Sequence, residues 1–272
     1  MNLSNQPEEF PLSIAGLPIT LKFWPIKDYP HEKRLFKRSL LKYMQNFKSP
    51  KHFSKHTTIN IVDLENYQIV FNKTTSYAEL AHYQSEHIIE MPYQISISQF
   101  FMTLSNLLAS LLLQNNGIIL HASACLIEDK VYIFMGPHGA GKSTIVRMLR
   151  ERFSIVSDDL IYVKKLRNMY VAYQSPVIEK VSWIEKKNIA YPLGGLYILR
   201  QSETPYFRKL NDQDAMKNIL SNMLLLPKKK EVFIATVFDL LSKKPMISEL
   251  GFNQNVTSVI HTLETSFYHD EK

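Results

Sequence analysis

The chain has 272 residues, of which 45% are hydrophobic and 21% are charged, and its formal net charge is +7. This composition is ordinary for a globular protein, and the length fits one large domain or two small ones. The single cysteine, Cys125, excludes an intrachain disulfide and fits a reducing compartment. The N-terminus lacks the pattern of a secretory signal, and the apolar stretch 100–113 is too short and too polar to span a membrane. We therefore expect a cytoplasmic protein without a membrane partner.

The first 95 residues predict a small α+β region in which we find no chemical motif. Residues 1–9 are expected to form a loose tail. Apolar residues at helical spacing predict an amphipathic helix over 31–47. Strands are predicted over 17–24, 57–64, 67–71 and 88–92.

Positive charge is concentrated between residues 27 and 56. Nine Lys or Arg residues stand there against two acidic residues, which equals the whole net excess of the chain. Such a patch attracts an acidic peptide, a membrane surface or a nucleic acid, and the alternative is a solvated helix face. Because no nucleic-acid recognition motif accompanies the patch, we do not expect a nucleic-acid partner.

Residues 96–272 predict an α/β domain built around one loop. A helix over 96–114 precedes strands over 118–127 and 131–135, which we expect to pair as a hairpin around a short polar turn. A helix over 143–153 and a short buried strand over 154–157 follow the loop. Further along, strands are predicted over 160–164, 170–173, 195–200 and 246–250, and helices over 182–189, 212–226, 232–241 and 255–263.

The loop itself, GPHGAGKS at residues 136–143, matches the phosphate-loop pattern G-x-x-x-x-G-K-[ST]. Its glycines allow backbone N–H groups to surround an anion, and the following helix points its positive end at the same place. Lys142 supplies a charge near the β- and γ-phosphates, and the Ser143 hydroxyl can bind Mg²⁺. The pattern thus predicts a site for ATP or GTP with Mg²⁺. The predicted nucleotide-binding residues are Gly136, Pro137, His138, Gly139, Ala140, Gly141, Lys142, Ser143 and Thr144.

Polar residues flank the loop in sequence. Asp158 and Asp159 follow a short apolar strand, where a carboxylate can bind Mg²⁺ or accept the proton of an attacking hydroxyl. The alternative is a simple turn or helix cap. His121 lies in the strand expected to pair with the one that enters the loop, and its alternative is an ordinary core histidine. His138, inside the loop, either contacts a phosphate or faces solvent.

The order of HAS at 121–123, GPHGAGKS at 136–143 and SDD at 157–159 resembles the HPr kinase/phosphorylase family. This resemblance implies a phosphate-loop core of that type, a mixed sheet with flanking helices, over 96–272. The small α+β region over 1–95 would precede it.

The resemblance also implies roles for single residues. Asp158 corresponds to the proton-abstracting aspartate and His121 to the active-site histidine. Lys142 keeps its catalytic role in the loop. Asp159 and Ser143 correspond to the metal-binding residues.

Pro137, His138 and Thr144 depart from the family's usual loop. The chain looks more like the short HPr-kinase-like serine kinases that phosphorylate ribosomally made precursor peptides, as in lasso-peptide tailoring. That implies a precursor-peptide partner recruited by the N-terminal region. Homo-oligomers occur in the wider family, and the motifs do not specify an oligomeric state here.

Other functions stay open at this point. One is a regulatory module that binds a nucleotide and hydrolyses ATP slowly, and another is a kinase of free serine or of an HPr-like protein. A transport or DNA-linked ATPase is not expected, because no LSGGQ-like signature is present and the candidate acids are an Asp-Asp pair just past the loop helix.

Overall fold

The computed structural model describes residues 6–26, 31–50, 53–63, 70–71, 78–179, 181–223, 230–243 and 246–268. Their fold is mixed α/β, with sheets and flanking helices, as the sequence predicts. The chain divides into two compact units, Met1–Leu108 and Ala109–Lys272. The predicted division between residues 95 and 96 lies slightly earlier in the chain.

The first unit contains a sheet with the strand order β1-β2-β3-β7-β6 within its described residues. The strands of this unit are β1 Glu8–Ile14, β2 Leu17–Phe23, β3 Thr57–Val62, β4 Val70–Phe71, β5 Ala78–Glu79, β6 His82–Ser85 and β7 Ile88–Pro92. The short strands β4 and β5 form a separate two-stranded sheet. The helices of this unit are α1 His31–Met44, continued by a short 3₁₀ turn, and α2 Ile97–Gln114, which extends past the division.

Most predicted elements of this unit are confirmed, and one prediction is wrong. Residues 8 and 9 do not belong to a loose tail but begin β1, an edge strand that pairs with β2. On its other side Leu12 forms an isolated bridge with Lys48, and the Pro11 carbonyl accepts from the Ser49 N–H at 2.9 Å. Pro11 is tolerated at this edge because it needs to supply only an acceptor there. Residues 67–69 of the predicted strand 67–71 lie outside the described residues.

The helices of the first unit bury the faces that their periodicity predicts. Phe36, Leu40 and Met44 of α1 are buried, and the Phe36 ring meets the edges of Tyr93 and Phe100. The helix α2 is long and apolar enough to cross a membrane by length and composition, with a mean hydropathy of 1.3, but half of it is buried inside the protein. The buried core helices of globular proteins have the same composition.

The second unit contains a larger sheet with the strand order β11-β9-β10-β14-β13-β12-β8, and β16 joins β14 to β15. The strands are β8 Gly117–His121, β9 Ser123–Ile127, β10 Lys130–Met135, β11 Ser154–Ser157, β12 Leu160–Leu166, β13 Met169–Gln174, β14 Tyr191–Gln201, β15 Tyr206–Lys209 and β16 Met246–Phe252. The helices are α3 Lys142–Leu149, α4 Asp212–Ser221, α5 Lys230–Ser242 and α6 Val256–Tyr268.

The hairpin predicted before the loop is partly wrong. The stretch 118–127 forms two strands, of which β9 pairs with β10 while β8 pairs with β12. The chain changes partner at Ala122, whose N–H donates to the Asp159 carbonyl at 3.0 Å. Because most of the stretch is apolar, its residue pattern does not reveal where one strand ends and the next begins.

Two helix predictions also need correction. Residues 181–190, all of which the structure describes, form no helix, and the Lys187 N–H donates to the Gln174 side chain instead of to a helical carbonyl. The helix α3 ends at Leu149 rather than at residue 153, and the N–H groups of Arg152 and Phe153 both donate to the Leu149 carbonyl in a final turn. The predicted helix 212–226 ends at Ser221, and residues 224–226 lie outside the described residues.

Glu249 in β16 ties three strands of this sheet together. Its carboxylate accepts hydrogen bonds from the Tyr206 hydroxyl at 2.8 Å, from Arg208 at 3.0 Å and from Arg200 at 3.2 Å. Burial by itself raises the pKa of Glu249, but the hydrogen bonds from Tyr206 and Arg200 and the charge of Arg208 outweigh it and lower the pKa below its ordinary value.

We expect Glu249→Gln to lower the free energy of unfolding by about 1–3 kcal/mol at neutral pH, because two arginines lose a charged acceptor. A lowered pKa stabilises the fold above the unfolded pKa, so the difference from the wild type should shrink as pH falls below 4.5. Urea unfolding at several pH values measures it. Glu203→Gln, at an exposed position between β14 and β15, is the control. An equal loss at pH 3 and pH 7 would contradict this account.

Candidate active site

The sheet topology brings the phosphate loop and the two aspartates to one edge. The strand β9 pairs antiparallel with both β10 and β11. Consequently β10 and β11 run parallel, and their carboxyl ends lie two strand spacings apart, roughly 10 Å. The loop 136–141 leaves the end of β10, and Asp158 follows the end of β11. This is where ligands bind in open α/β sheets.

The loop backbone requires glycine at two positions. Gly141 precedes α3 with a φ of 100°, and an added Cβ would lie 2.4 Å from the Phe252 ring. A Cβ on Gly136 would lie 2.7 Å from that of Ala140. A side chain at either position would therefore collide with neighbouring protein atoms, and the left-handed backbone of Gly141 also favours glycine.

Lys142 and its neighbours close the loop onto β9. The Lys142 ammonium donates to the Gly136 carbonyl at 2.7 Å and to the Pro137 carbonyl at 3.2 Å. The buried Ser123 hydroxyl donates to the Lys142 carbonyl at 2.8 Å, which fixes the first turn of α3 against the start of β9. The charge of the lysine therefore lies over the loop, where a phosphate would bind.

The remaining predicted loop residues lie on its outer side or at the start of α3. Pro137, His138 and Gly139 are exposed, as is Thr144, while Ser143 is partly exposed. The exposed position of His138 is compatible with both alternatives, a phosphate contact and a side chain that faces solvent.

Asp158 is the most unusual residue of the site. Its side chain is 2% exposed, and neither carboxylate oxygen has a hydrogen-bond partner among the described residues. Burying a carboxylate without a partner costs free energy, so such groups in native proteins coincide with sites that a ligand, ion or substrate completes. The simple turn that was the alternative for Asp158 needs no buried acid.

A partly buried ion pair, which sequence reasoning missed, holds the backbone of Asp158. The Glu179 carboxylate accepts from the Asp158 N–H at 3.1 Å and lies 3.2 Å from the Ser157 hydroxyl. Lys186 donates to the same carboxylate at 2.6 Å. Burial lowers the pKa of Lys186, and the charges of Glu179 and Asp159 oppose that shift. No motif marks either residue, because the contact depends on how the irregular segment after β13 folds back.

His121 and Asp159 come together, although not by the predicted hairpin. His121 ends β8 opposite Leu160 of β12, and its Nε2 lies 3.5 Å from an Asp159 carboxylate oxygen. The side chains are 45% and 25% exposed, so both reach the surface beside buried Asp158. An imidazole at this distance can orient the carboxylate or, when protonated, form an ion pair with it.

The residues of this edge fit a magnesium ion bound together with phosphates. Mg²⁺ in such sites takes one or two carboxylates, with phosphate oxygens and water completing its shell. The unpartnered carboxylate of Asp158, the carboxylate of Asp159 and the hydroxyl of Ser143 are ligands of that kind. The described residues contain no cluster of three or more His, Cys, Asp or Glu side chains arranged for a metal.

Similarity to known proteins is found among solved structures. No protein-family model and no curated protein matches the chain. Among solved structures, the chain is similar to the Hpr(Ser) kinase/phosphatase from Coxiella burnetii, with 14% sequence identity and a TM-score of 0.36. The alignment covers 57% of this chain and 99% of that one. A match of this size does not establish a family for the chain.

We expect Asp158→Asn to raise the free energy of unfolding of the ligand-free protein by about 1–3 kcal/mol, because a neutral amide of the same shape is easier to bury than an unpartnered carboxylate. Thermal or urea unfolding measures it. The control is Asp129→Asn in the exposed β9–β10 turn, where φ is 63° and asparagine is well tolerated. If Asp158→Asn lowered the free energy of unfolding and Asp129→Asn did not, the Asp158 carboxylate would have a stabilising partner, which contradicts this account.

Proposed function

We propose that the chain is an ATP-dependent serine kinase of the phosphate-loop type. The observation that supports this most directly is the buried, unpartnered carboxylate of Asp158 at the sheet edge from which the phosphate loop emerges. A phosphate loop alone indicates nucleotide binding. A carboxylate with free acceptor capacity beside it adds a group that can take a proton from a hydroxyl.

In the proposed reaction, the loop amides and Lys142 hold the phosphates of ATP. The acceptor serine oxygen forms a bond to the γ-phosphorus while the bond from that phosphorus to the β–γ bridging oxygen breaks, and ADP leaves. Asp158 accepts the hydroxyl proton, and the Glu179–Lys186 pair fixes the backbone that carries it. Bound Mg²⁺, held by Ser143 and Asp159, would neutralise charge on the transferred group. His121 would keep the Asp159 carboxylate in place.

The proposed acceptor is a serine in a ribosomally made precursor peptide, recruited through basic residues of the first unit. Arg34, Arg38 and Lys42 follow each other at intervals of four along α1 and are exposed. They have no ion-pair partner among the described residues, whereas Lys33 and Lys37 are paired with Asp63 and Glu8. Lys27 and Lys51 lie outside the described residues. This exposed row, here called the α1 basic row, has the charge to attract an acidic peptide segment.

We expect Asp158→Asn to reduce phosphate transfer at least about 100-fold and to leave ATP affinity within about threefold, because the change removes the proton acceptor and keeps the shape of the side chain. The assay combines ATP and Mg²⁺ with precursor peptides from neighbouring genes, free serine and an HPr-like protein. Mass spectrometry then detects the gain of one phosphate.

Asp129→Asn serves as the control for this experiment. Transfer by Asp158→Asn at the wild-type rate would remove the role given to Asp158. ATP hydrolysis by the wild type, with phosphate on none of the acceptors, would favour a regulatory nucleotide-binding module instead. Phosphate on free serine or on the HPr-like protein, but on no peptide, would keep the kinase and correct the acceptor.

We expect changing Arg34, Arg38 and Lys42 together to Gln to raise the KM for an acidic peptide about tenfold at low salt and to leave kcat unchanged, because exposed charges steer encounter without touching the chemistry. Changing the exposed Lys130, Lys209 and Lys217 to Gln removes the same charge elsewhere and is the control. An equal rise in KM for both triple variants would show that net charge matters and that the α1 basic row does not.

A further inference from the structure

Asn222 connects the phosphate loop to two other elements of the site. Its Oδ1 accepts from the N–H of Gly136, the first residue of the loop, at 3.1 Å in a buried position. Its backbone carbonyl accepts from the N–H of His121 at 2.7 Å. One residue at the end of α4 therefore contacts both the start of the loop and the end of β8.

The side-chain amide of Asn222 has its orientation fixed at both ends. Its Nδ2 donates to the Asn218 carbonyl at 2.8 Å, so the oxygen of the same amide must point toward the Gly136 N–H. The residue is 7% exposed, and its own N–H donates to the Ile219 carbonyl at 3.1 Å. The helix end, and not the loop, determines where the acceptor lies.

Hydrogen bonds continue from Asn222 through the loop to Lys142. The Gly136 N–H is occupied by Asn222, while the Gly136 carbonyl accepts from the Lys142 ammonium. In this arrangement the Gly136 N–H is an anchor within the protein and does not donate to a phosphate. The direction in which the chain leaves β10 is fixed by an acceptor on a different element.

We propose that Asn222 is a positioning residue for the nucleotide, which holds the loop in its phosphate-binding shape and in register with His121. The expected effect on nucleotide binding rests on the proposed function, whereas the contact between Asn222 and Gly136 does not. Removal of the Oδ1 acceptor leaves a buried N–H without a partner, and the loop can then leave its binding shape to hydrate that group.

Amide hydrogen exchange tests the contact without any nucleotide. In Asn222→Ala, the backbone amide of Gly136 should exchange its hydrogen at least about tenfold faster than in the wild type. The exchange rates of the amides in α6 should stay unchanged. Asn222→Asp keeps an acceptor oxygen for the Gly136 N–H, and when its carboxyl is protonated the O–H replaces the amide donor to the Asn218 carbonyl. At about pH 4 this variant should therefore exchange within about threefold of the wild type at the same pH, and it remains informative where the Ala variant does not fold. Asn218→Ala, whose carbonyl and therefore whose contact with Asn222 remain, is the matched control. Fast exchange in the Asp variant, or unchanged exchange in the Ala variant, would overturn the proposal.

Direct binding of ATP in the presence of Mg²⁺ tests the consequence. The dissociation constant should rise about tenfold in Asn222→Ala and stay at the wild-type value in Asn218→Ala. A wild type that binds no ATP would overturn the proposed function, whereas the exchange experiment would still decide on the Asn222 contact. Equal ATP affinity of the wild type and Asn222→Ala would overturn the positioning role and leave the proposed function standing.

Discussion

The candidate site depends on the position of β9 between β10 and β11. Because β9 is antiparallel to both, the strand that enters the phosphate loop and the strand that ends at Asp158 run in the same direction. The start of β9 lies at the same edge, where the Ser123 hydroxyl holds the first turn of α3. Without β9 between these two strands, the loop and Asp158 would not lie at the same edge of the sheet.

A single chain crossing joins this arrangement to the rest of the sheet. At Ala122 the chain passes from β8, which pairs with β12, to β9, which pairs with β10. The Ala122 N–H donates to the Asp159 carbonyl, so the crossing and the Asp-Asp turn stabilise each other. This contact explains how His121 reaches Asp159 although its strand does not touch β10.

The site combines rigid support with an incomplete centre. The Glu179 carboxylate, which is paired with Lys186, holds the Asp158 backbone, and Asn222 holds the start of the loop. Within this framework the Asp158 side chain keeps two buried oxygens that have no hydrogen-bond partner in the described part of the chain. Functional sites commonly keep polar groups without hydrogen-bond partners at a cost in stability. A carboxylate of this kind can accept a proton or a hydrogen bond from a substrate.

The amino-acid sequence by itself determined the local features of the protein. Glycine spacing and the apolar run before it predicted a phosphate loop at residues 136–143, because both depend on residues that are neighbours in the chain. Helical and strand periods located most elements, including the strand that ends at Asp158, within a few residues. The order of motifs also placed Asp158, Asp159 and His121 near the loop, although for His121 the reason was wrong.

Only the tertiary structure decided which strands pair and which distant side chains support the site. An apolar strand carries no mark of its partner, so the crossing at Ala122 was invisible in the sequence. The same holds for Glu179, Lys186 and Asn222, which have no motif of their own. Glu179 acts on a turn 21 positions away, and Asn222 acts on a glycine 86 positions away. Contacts over such separations follow from the packing of whole elements, whereas a phosphate loop is specified by the backbone freedom of its own few residues.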